Sequence, residues 1–125
     1  MKSSSKNRYW LGFDLGGTKM MATVFDKDFN IVAYRRKKTK DGKGSKGVLG
    51  RIVETVEEAL QAAHLDHRQL SAIGIGSPGW LDIDRGVVLL APNLGLHNLP
   101  LKKELSKDFG CPIVVANDVD AGTFG

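Results

Sequence analysis

Residues 10–26 read WLGFDLGGTKMMATVFD and decide how the fold begins. Two short apolar runs, residues 10–15 and 20–26, flank a pair of glycines. Because paired glycines between apolar runs are typical of a tight turn, this stretch predicts a β-hairpin. Residues 29–36 then alternate between apolar and polar side chains, which predicts a third strand. We therefore expect three antiparallel strands at the start of the domain.

The rest of the chain alternates helices with strands. Apolar residues recur every three or four positions between residues 48 and 63, which predicts an amphipathic helix capped by Ser45. Short apolar strands are predicted at residues 72–76 and 112–116. A second helix is predicted within residues 99–109, starting after Pro100 and stopped by Gly110. The order β-β-β-α-β-α-β predicts an α/β fold, with a mixed sheet of about five strands and flanking helices.

Composition limits the class of protein. The chain has 125 residues, 42% of them apolar and 26% charged, which is typical of one soluble domain. Its single cysteine, Cys111, allows no internal disulfide, and no apolar run approaches the roughly 20 residues of a membrane helix. Residues 1–9 are polar and lack the apolar centre of a signal peptide. We therefore expect a cytoplasmic protein with a flexible leader at residues 1–9 and no membrane partner.

The formal net charge of +4 invites a nucleic-acid interpretation, but the distribution of charge argues against it. Lys2, Lys6 and Arg8 lie in the leader, and removing these three charges lowers +4 to +1. The other basic residues concentrate between positions 35 and 46, where Tyr34 is the neighbouring aromatic residue. A stacking platform for nucleic acid needs several interleaved aromatic residues. We interpret the basic run as a solvated strand end and loop, and we expect no nucleic-acid partner.

A second glycine-rich stretch, GIGSPG at residues 74–79, matches the G-x-G-x-x-G pattern of dinucleotide-binding turns. Such a turn must open a helix whose N-terminus holds the pyrophosphate, whereas residues 80–86 have no helical period. We therefore interpret it as a loop where Gly76 and Gly79 let the backbone approach a ligand, or as a turn that needs positive φ. Residues 77–100 as a whole predict a small hairpin or loop insertion.

The turn DLGGTK at residues 14–19 resembles a Walker phosphate loop, but Thr18 precedes Lys19 where that loop needs the reverse order. It also leads into a predicted strand instead of a helix. Its glycines can still form a nest of backbone N–H groups around phosphate oxygens, and Asp14 can hold Mg²⁺ through water. The alternative is a plain hairpin turn with an acid on the surface.

Asn117 and Asp118 follow the last predicted strand, and ligands of open α/β sheets bind at the carboxyl ends of strands. An amide can fix a hydroxyl and a carboxylate can accept its proton, as phosphoryl transfer to an alcohol requires. The alternative is an aspartate cap on a following helix. The histidines His64, His67 and His97 lack a metal-ligand spacing and are expected at the surface.

These motifs occur in the order of a known family. The order is DLGGTK at residues 14–19, GIGSPG at 74–79, APNLG at 91–95 and NDVDA at 117–121. The chain resembles the ROK family of sugar kinases and regulators from residue 10 to residue 125. The resemblance implies the N-terminal lobe of an actin-like, ribonuclease-H-like ATPase fold, with the second lobe beyond Gly125. As written, the chain would lack half of the cleft and be catalytically inactive alone.

The same resemblance implies a role for each matching residue. ATP phosphates would lie on Gly16, Gly17 and Thr18, with Lys19 assisting and Asp14 near a water-coordinated Mg²⁺. Hexose hydroxyls would contact four residues: Gly76, Asn93, Asn117 and Asp118. Asp118 would be the general base for the 6-hydroxyl, with glucose as the first candidate substrate and an N-acetylhexosamine as the second. A structural zinc site, the adenine-binding lobe and a homodimer belong to the implied full-length protein.

The chain departs from the family pattern near the implied sugar site. Asp120 stands where the family usually has Asn, Trp80 follows Gly79, and Leu96-His97 replaces a frequently aromatic stretch. The identity of the sugar and the phosphoryl donor, ATP or polyphosphate, therefore stay open.

Two alternative functions also stay open. One is a sugar-sensing repressor of the same family, for which the nine residues before Trp10 are too few to form a helix-turn-helix. The other is a different kind of actin-like ATPase, which would not explain the loop at residues 74–79 or Asn93.

Overall fold

The computed structural model of the protein describes residues 9–39 and 44–117. In chain order its elements are β1 (Tyr9–Leu15), β2 (Lys19–Phe25), β3 (Ile31–Lys38), α1 (Gly44–Ala62), β4 (Leu70–Ser77), β5 (Trp80–Asp82), β6 (Val87–Ala91), β7 (Leu96–Leu99), α2 (Leu101–Phe109) and β8 (Ile113–Asn117). Single 3-10 turns occur at His67–Gln69 and Pro92–Leu94. The predicted base Asp118 and residues 1–8 of the predicted leader lie outside the described residues, whereas Tyr9 begins β1.

Five strands form one mixed sheet in the order β3-β2-β1-β4-β8. β1, β2 and β3 are antiparallel neighbours, as the paired glycines predict, whereas β4 and β8 run parallel to β1. The connections into β4 and β8 pass through α1 and α2, because joining parallel strands needs a long crossover. The predicted α/β architecture with a five-stranded mixed sheet is therefore confirmed.

The core lies between the sheet and the two helices. Buried side chains alternate along β2 (Met20, Ala22 and Val24), and β2 packs against α1, whose buried stripe includes Ile52 and Val56. Removing a large aliphatic side chain of this kind from water contributes roughly 1.5–3 kcal/mol. This burial holds α1 against the hairpin and so fixes the position of the β1–β2 turn.

The opposite face of the sheet is open in the described part of the chain. The register partners Gly12 and Gly74 place no side chain at its centre, where they line a cavity of about 530 Å³. Trp10 and Val114 border this face and remain 38% and 58% exposed. Parallel sheets usually carry helices on both faces. The predicted flanking helices are thus found, among the described residues, on one face only.

Residues between β4 and α2 form a separate antiparallel sheet in the order β5-β6-β7. β5 and β6 correspond to the predicted hairpin, whereas β7 is an additional strand that its sequence, LHNL, does not signal. Leu96 and Leu99 of β7 are buried, while His97 and Asn98 between them are exposed. The insertion brings the turn Pro92–Leu94 against α1.

One predicted boundary is wrong: α1 begins at Gly44, so Ser45 lies inside its first turn and not before it, where a cap would lie. α2 begins at Leu101, directly after Pro100, and is followed by Gly110, as predicted, whereas Leu99 belongs to β7. None of the described helices has the length and apolar character needed to cross a membrane.

An ion cluster ties α1 to the edge strand β3. Glu58 accepts hydrogen bonds from Lys37 Nζ at 3.0 Å and from Arg35 Nη2 at 3.1 Å. These bonds, first from Lys37 and then from Arg35, lower the pKa of the Glu58 carboxyl below its usual range. A carboxyl with a lowered folded-state pKa stabilises the fold above its usual range and loses that contribution as pH falls through the folded-state pKa.

Replacing Glu58 with Gln is expected to lower the free energy of unfolding at pH 7 by about 0.5–1 kcal/mol, the range of partly exposed ion pairs. The Glu58 side chain is 34% exposed, so solvent screens the interaction. The difference from wild type should shrink between pH 7 and about pH 3, as the carboxylate of the wild type takes up its proton. Urea unfolding at both pH values measures this difference in the free energy of unfolding. Glu57→Gln, at an exposed position of the same helix, is the control. A difference that stays constant to about pH 3 would contradict this assignment.

Candidate functional site

The carboxyl ends of the three parallel strands lie at one edge of the sheet. β1 ends at Leu15, β4 at Ser77 and β8 at Asn117, and Ser77 is the register partner of Asn117. The β1–β2 turn, the residues after β4 and the end of β8 are therefore neighbours. Open α/β sheets bind their ligands at this edge.

In the β1–β2 turn, residues 16–18, the carbonyl groups of Gly16 and Thr18 accept hydrogen bonds, while the N–H groups of Gly17 and Thr18 have no acceptor among the described residues. The Gly16 N–H donates to the Lys19 carbonyl at 3.0 Å, and a Cβ on Gly16 would lie 2.7 Å from that oxygen. The carbonyls of Gly16 and Thr18 accept hydrogen bonds from Thr39 at 2.8 and 2.9 Å. No described residue accepts a hydrogen bond from the N–H of Gly17 or Thr18. Such paired donors can bind an anion.

Positive charge lies beside this turn. Lys19 begins β2 and is the register partner of Lys38 on β3, and both residues are exposed. Like charges directly opposite each other on a sheet are destabilising, and a bound anion would relieve that repulsion. The structure therefore brings two lysines to the edge where the sequence predicts phosphate binding, of which sequence reasoning identified only Lys19.

Asp14 and Gly76 are adjacent on β1 and β4 as register partners, and both line the cavity over the open face. Asp14 is exposed and forms no ion pair with a described residue. Mg²⁺ keeps much of its hydration shell and binds through few carboxylates, which fits a single exposed aspartate. The residues predicted for metal and for sugar thus meet at this point of the sheet.

Asn93 lies on the Pro92–Leu94 turn, next to the β1–β2 turn. A Cβ on Gly17 would lie 3.8 Å from the Asn93 Cβ, which is ordinary van der Waals contact. Asn93 itself is exposed. A residue that the family resemblance assigns to the sugar is therefore a neighbour of one assigned to ATP phosphate.

Asn117 connects the end of β8 to the loop after β4 through a hydrogen bond. Its Nδ2 donates to the Gly79 carbonyl at 3.0 Å. Gly79 has φ +90°, a left-handed conformation that disfavours other residues, so the predicted positive-φ turn is present. The side-chain amide of Asn117 thus also positions the loop that contains the predicted sugar contacts.

Two buried hydroxyl residues at this edge are absent from the sequence predictions. Thr39 and Ser77 are both 0% exposed, and the Ser77 hydroxyl donates to the Pro78 carbonyl at 3.1 Å. Ser77 lies in the GIGSPG stretch, but that pattern assigns no role to its hydroxyl, and no motif includes Thr39. Thr39 could be identified only from the register of β2 and β3. When Lys19 pairs with Lys38, residue 39 lies beside the β1–β2 turn.

Other predicted residues stand apart from this edge or outside the described residues. Asp118 and Asp120 lie outside the described residues. The three histidines, His64, His67 and His97, are exposed as predicted, and His67 Nδ1 lies 3.1 Å from the Phe109 carbonyl. Residues 9–39 and 44–117 contain no group of three potential metal-ligating side chains.

Comparison with known proteins places the chain among sugar kinases and regulators. The sequence model of the ROK family matches residues 10–125. The glucokinase of Streptomyces coelicolor is 33% identical over 115 residues, which are 92% of this chain and 34% of that protein. A putative xylose repressor of a Caldicellulosiruptor species is also 33% identical, over 92% of this chain and 29% of the repressor.

A solved structure agrees with these sequence matches. The ROK family glucokinase of Streptomyces griseus, in complex with glucose and AMPPNP, superimposes with a TM-score of 0.78 at 33% identity, over 92% of this chain and 35% of that one. The chain therefore spans about a third of the length of the relatives it matches. With a family match over residues 10–125 and the five-stranded mixed sheet of the actin-like ATPase fold, the chain belongs to the ROK family.

Proposed function

We propose that this chain is the N-terminal lobe of an ATP-dependent hexose kinase that phosphorylates the 6-hydroxyl of its sugar. The observation that carries the proposal is the meeting of three features at one sheet edge: a turn with two N–H donors that bond to no described residue, an exposed aspartate, and the end of β8 that leads to Asp118. Glucose is the first candidate sugar, because relatives at 33% identity are glucokinases. An N-acetylhexosamine is the second.

The β1–β2 turn would hold the phosphates of ATP. Gly17 and Thr18 would donate their N–H groups, and Gly16 keeps the turn tight because a Cβ would clash with the Lys19 carbonyl. Lys19 would add positive charge to the same oxygens. Asp14 would hold hydrated Mg²⁺, and that ion, when bound, would supply charge that neutralises the transferring phosphoryl group.

Gly76, Asn93 and Asn117 would bind the sugar hydroxyls, with Asp118 as the general base. In the proposed reaction the oxygen of the 6-hydroxyl attacks the γ-phosphorus and its proton passes to the Asp118 carboxylate. The bond from the γ-phosphorus to the bridging oxygen breaks, and ADP leaves with that electron pair. Positioning and charge neutralisation provide most of the acceleration in this class of reaction.

A sugar-sensing regulator is the second candidate, because a putative xylose repressor is as similar to this chain as the glucokinase is. Such a protein would bind sugar at the same edge and transfer no phosphoryl group. A third outcome, an ATPase that ignores sugar, would follow if the turn bound nucleotide but residues 74–79 had another role.

The test is ADP release from ATP and Mg²⁺ by the natural polypeptide that contains this chain, at its full length, across a panel of hexoses and N-acetylhexosamines. Sugar-dependent release supports the kinase and names the substrate class. Release without sugar dependence favours the ATPase. Sugar binding without release, detected as a rise in melting temperature on addition of the sugar, favours the regulator.

Three further properties belong to the same proposal. The full-length protein would be a cytoplasmic homodimer without nucleic-acid or membrane partners, and residues 1–8 would be its leader. A structural zinc ion would be bound by the part of the protein beyond Gly125. Residues 10–125 alone would bind sugar weakly and transfer no phosphoryl group, because half of the cleft would be missing.

A further inference from the structure

We propose that Thr39 is a positioning residue that holds the phosphate-binding turn in its anion-accepting conformation. No sequence motif of the chain includes Thr39, and the inference rests on the proposed function for the meaning of the turn. Thr39 follows β3. Its side-chain hydroxyl and its backbone N–H both donate hydrogen bonds to the β1–β2 turn. Its hydroxyl donates to the Gly16 carbonyl at 2.8 Å and its N–H donates to the Thr18 carbonyl at 2.9 Å.

The hydroxyl of Thr39 controls the direction of the Gly17 N–H. The Gly16 carbonyl and the Gly17 N–H belong to one planar trans peptide, so they point in opposite directions. Fixing the Gly16 oxygen on Thr39 therefore turns the Gly17 N–H away from Thr39. This is one of the two N–H groups that no described residue occupies.

Without that hydrogen bond, no described residue would hold the carbonyl of the peptide between Gly16 and Gly17. Glycine populates positive and negative φ almost equally, so a Gly-Gly peptide has little intrinsic preference for one orientation. Gly16 must be glycine because a Cβ would meet the Lys19 carbonyl at 2.7 Å. The turn therefore needs an external group to fix this peptide, and Thr39 is the residue that contacts it.

Burial strengthens the restraint. Thr39 is 0% exposed, so water does not compete for its hydroxyl, and the methyl group fills space in the interior. The pairing of Lys19 with Lys38 fixes the backbone immediately before it. The position of the hydroxyl is thus set by the sheet itself.

The experiment compares Thr39→Val with Thr39→Ser. Valine keeps the shape and removes the hydroxyl, whereas serine keeps the hydroxyl and removes the methyl group. Hydrogen exchange of the Gly16 N–H, which is bonded to the Lys19 carbonyl, reports on the turn in the 125-residue chain. Thr39→Val is expected to speed this exchange about tenfold, the effect of one lost hydrogen bond. The exchange rates of the Ile73 and Ile75 N–H groups of β4 should stay unchanged. Thr39→Ser is expected to exchange as wild type does.

In the full-length polypeptide, Thr39→Val should raise KM for ATP about tenfold and leave KM for the hexose nearly unchanged. Thr39→Ser should restore KM for ATP. A general loss of stability would not raise KM for ATP while leaving KM for the hexose unchanged. Thr39→Ala, which removes both the hydroxyl and the methyl group, is the second variant if Thr39→Val does not fold, and the same rise in KM for ATP without a rise in KM for the hexose is expected.

Three results would overturn the inference: unchanged Gly16 exchange in Thr39→Val, equal rises in both KM values, or a serine variant as defective as the valine variant. A wild-type protein that transfers no phosphoryl group would instead overturn the proposed function. In that case hydrogen exchange of Gly16 still decides whether Thr39 holds the turn.

Discussion

Asp118→Asn is expected to reduce sugar-dependent ADP release about 10²–10⁴-fold, the usual contribution of a general base. Asparagine has the shape of aspartate and still offers a carbonyl oxygen to a sugar hydroxyl, but it cannot accept the proton of the attacking 6-hydroxyl. Binding of the sugar should therefore persist. The measurements are kcat for ADP release in the full-length polypeptide and the melting-temperature shift that the sugar produces in the same variant.

Asp120→Asn is the matched control for this variant. It removes one carboxylate two residues away, and it introduces the residue that the ROK family usually has at this position. Turnover by Asp120→Asn should stay close to wild type. An Asp118→Asn variant that keeps turnover and loses sugar binding would show that Asp118 only binds the sugar, and equal losses in both variants would point to a shared electrostatic effect.

The sequence predicts the part of the fold that depends on local signals. Two glycines between apolar runs are sufficient for the β1–β2 hairpin, and apolar periodicity is sufficient for α1 and α2. The parallel pairing of β4 and β8 follows from the intervening helices, because helical crossovers join parallel strands. Together these features bring Asp14, Gly76 and Asn117 to one edge without any knowledge of side-chain contacts.

Features that depend on register could not be predicted in this way. Thr39 contacts Gly16 across 23 positions of sequence, and the contact exists only because β3 pairs with β2 in one register. The same pairing opposes Lys38 to Lys19. A shift of one residue would move both side chains to the other face of the sheet, and no local signal in a basic, solvated strand specifies that register.

Short or polar elements cannot be predicted from hydrophobic periodicity, for a different reason. β7 has four residues, LHNL, and only its two ends are buried. A pattern so short fits a strand, a turn or a loop equally well, and its pairing with β6 decides between them. The proximity of Asn93 to Gly17 depends on this small sheet, since β6 and β7 flank the Pro92–Leu94 turn. The family resemblance identified Asn93, whereas its local sequence predicts only a loop.

Gly79→Ala is expected to lower the free energy of unfolding by about 3–5 kcal/mol, the larger of the stability effects predicted for this chain. Gly79 has φ +90°, and a Cβ there would overlap with the Leu90 carbonyl oxygen and lie 3.0 Å from Ala91. Both are parts of β6 that cannot move without disturbing its pairing with β5. Urea unfolding of the 125-residue chain measures the loss.

Gly95→Ala is the control that separates backbone strain from steric overlap. Gly95 also has a left-handed φ, +67°, but a Cβ there would meet nothing within 4 Å, so its replacement should cost only about 1 kcal/mol. The larger loss at Gly79 would then come from its contact with β6. Because Asn117 binds the Gly79 carbonyl, the displaced loop should also weaken sugar binding, which Gly95→Ala should leave intact. Equal losses in the free energy of unfolding in the two variants would contradict this prediction. They would mean that β5 moves away from β6 without cost, and that Asn117, not the small sheet, holds the loop after β4.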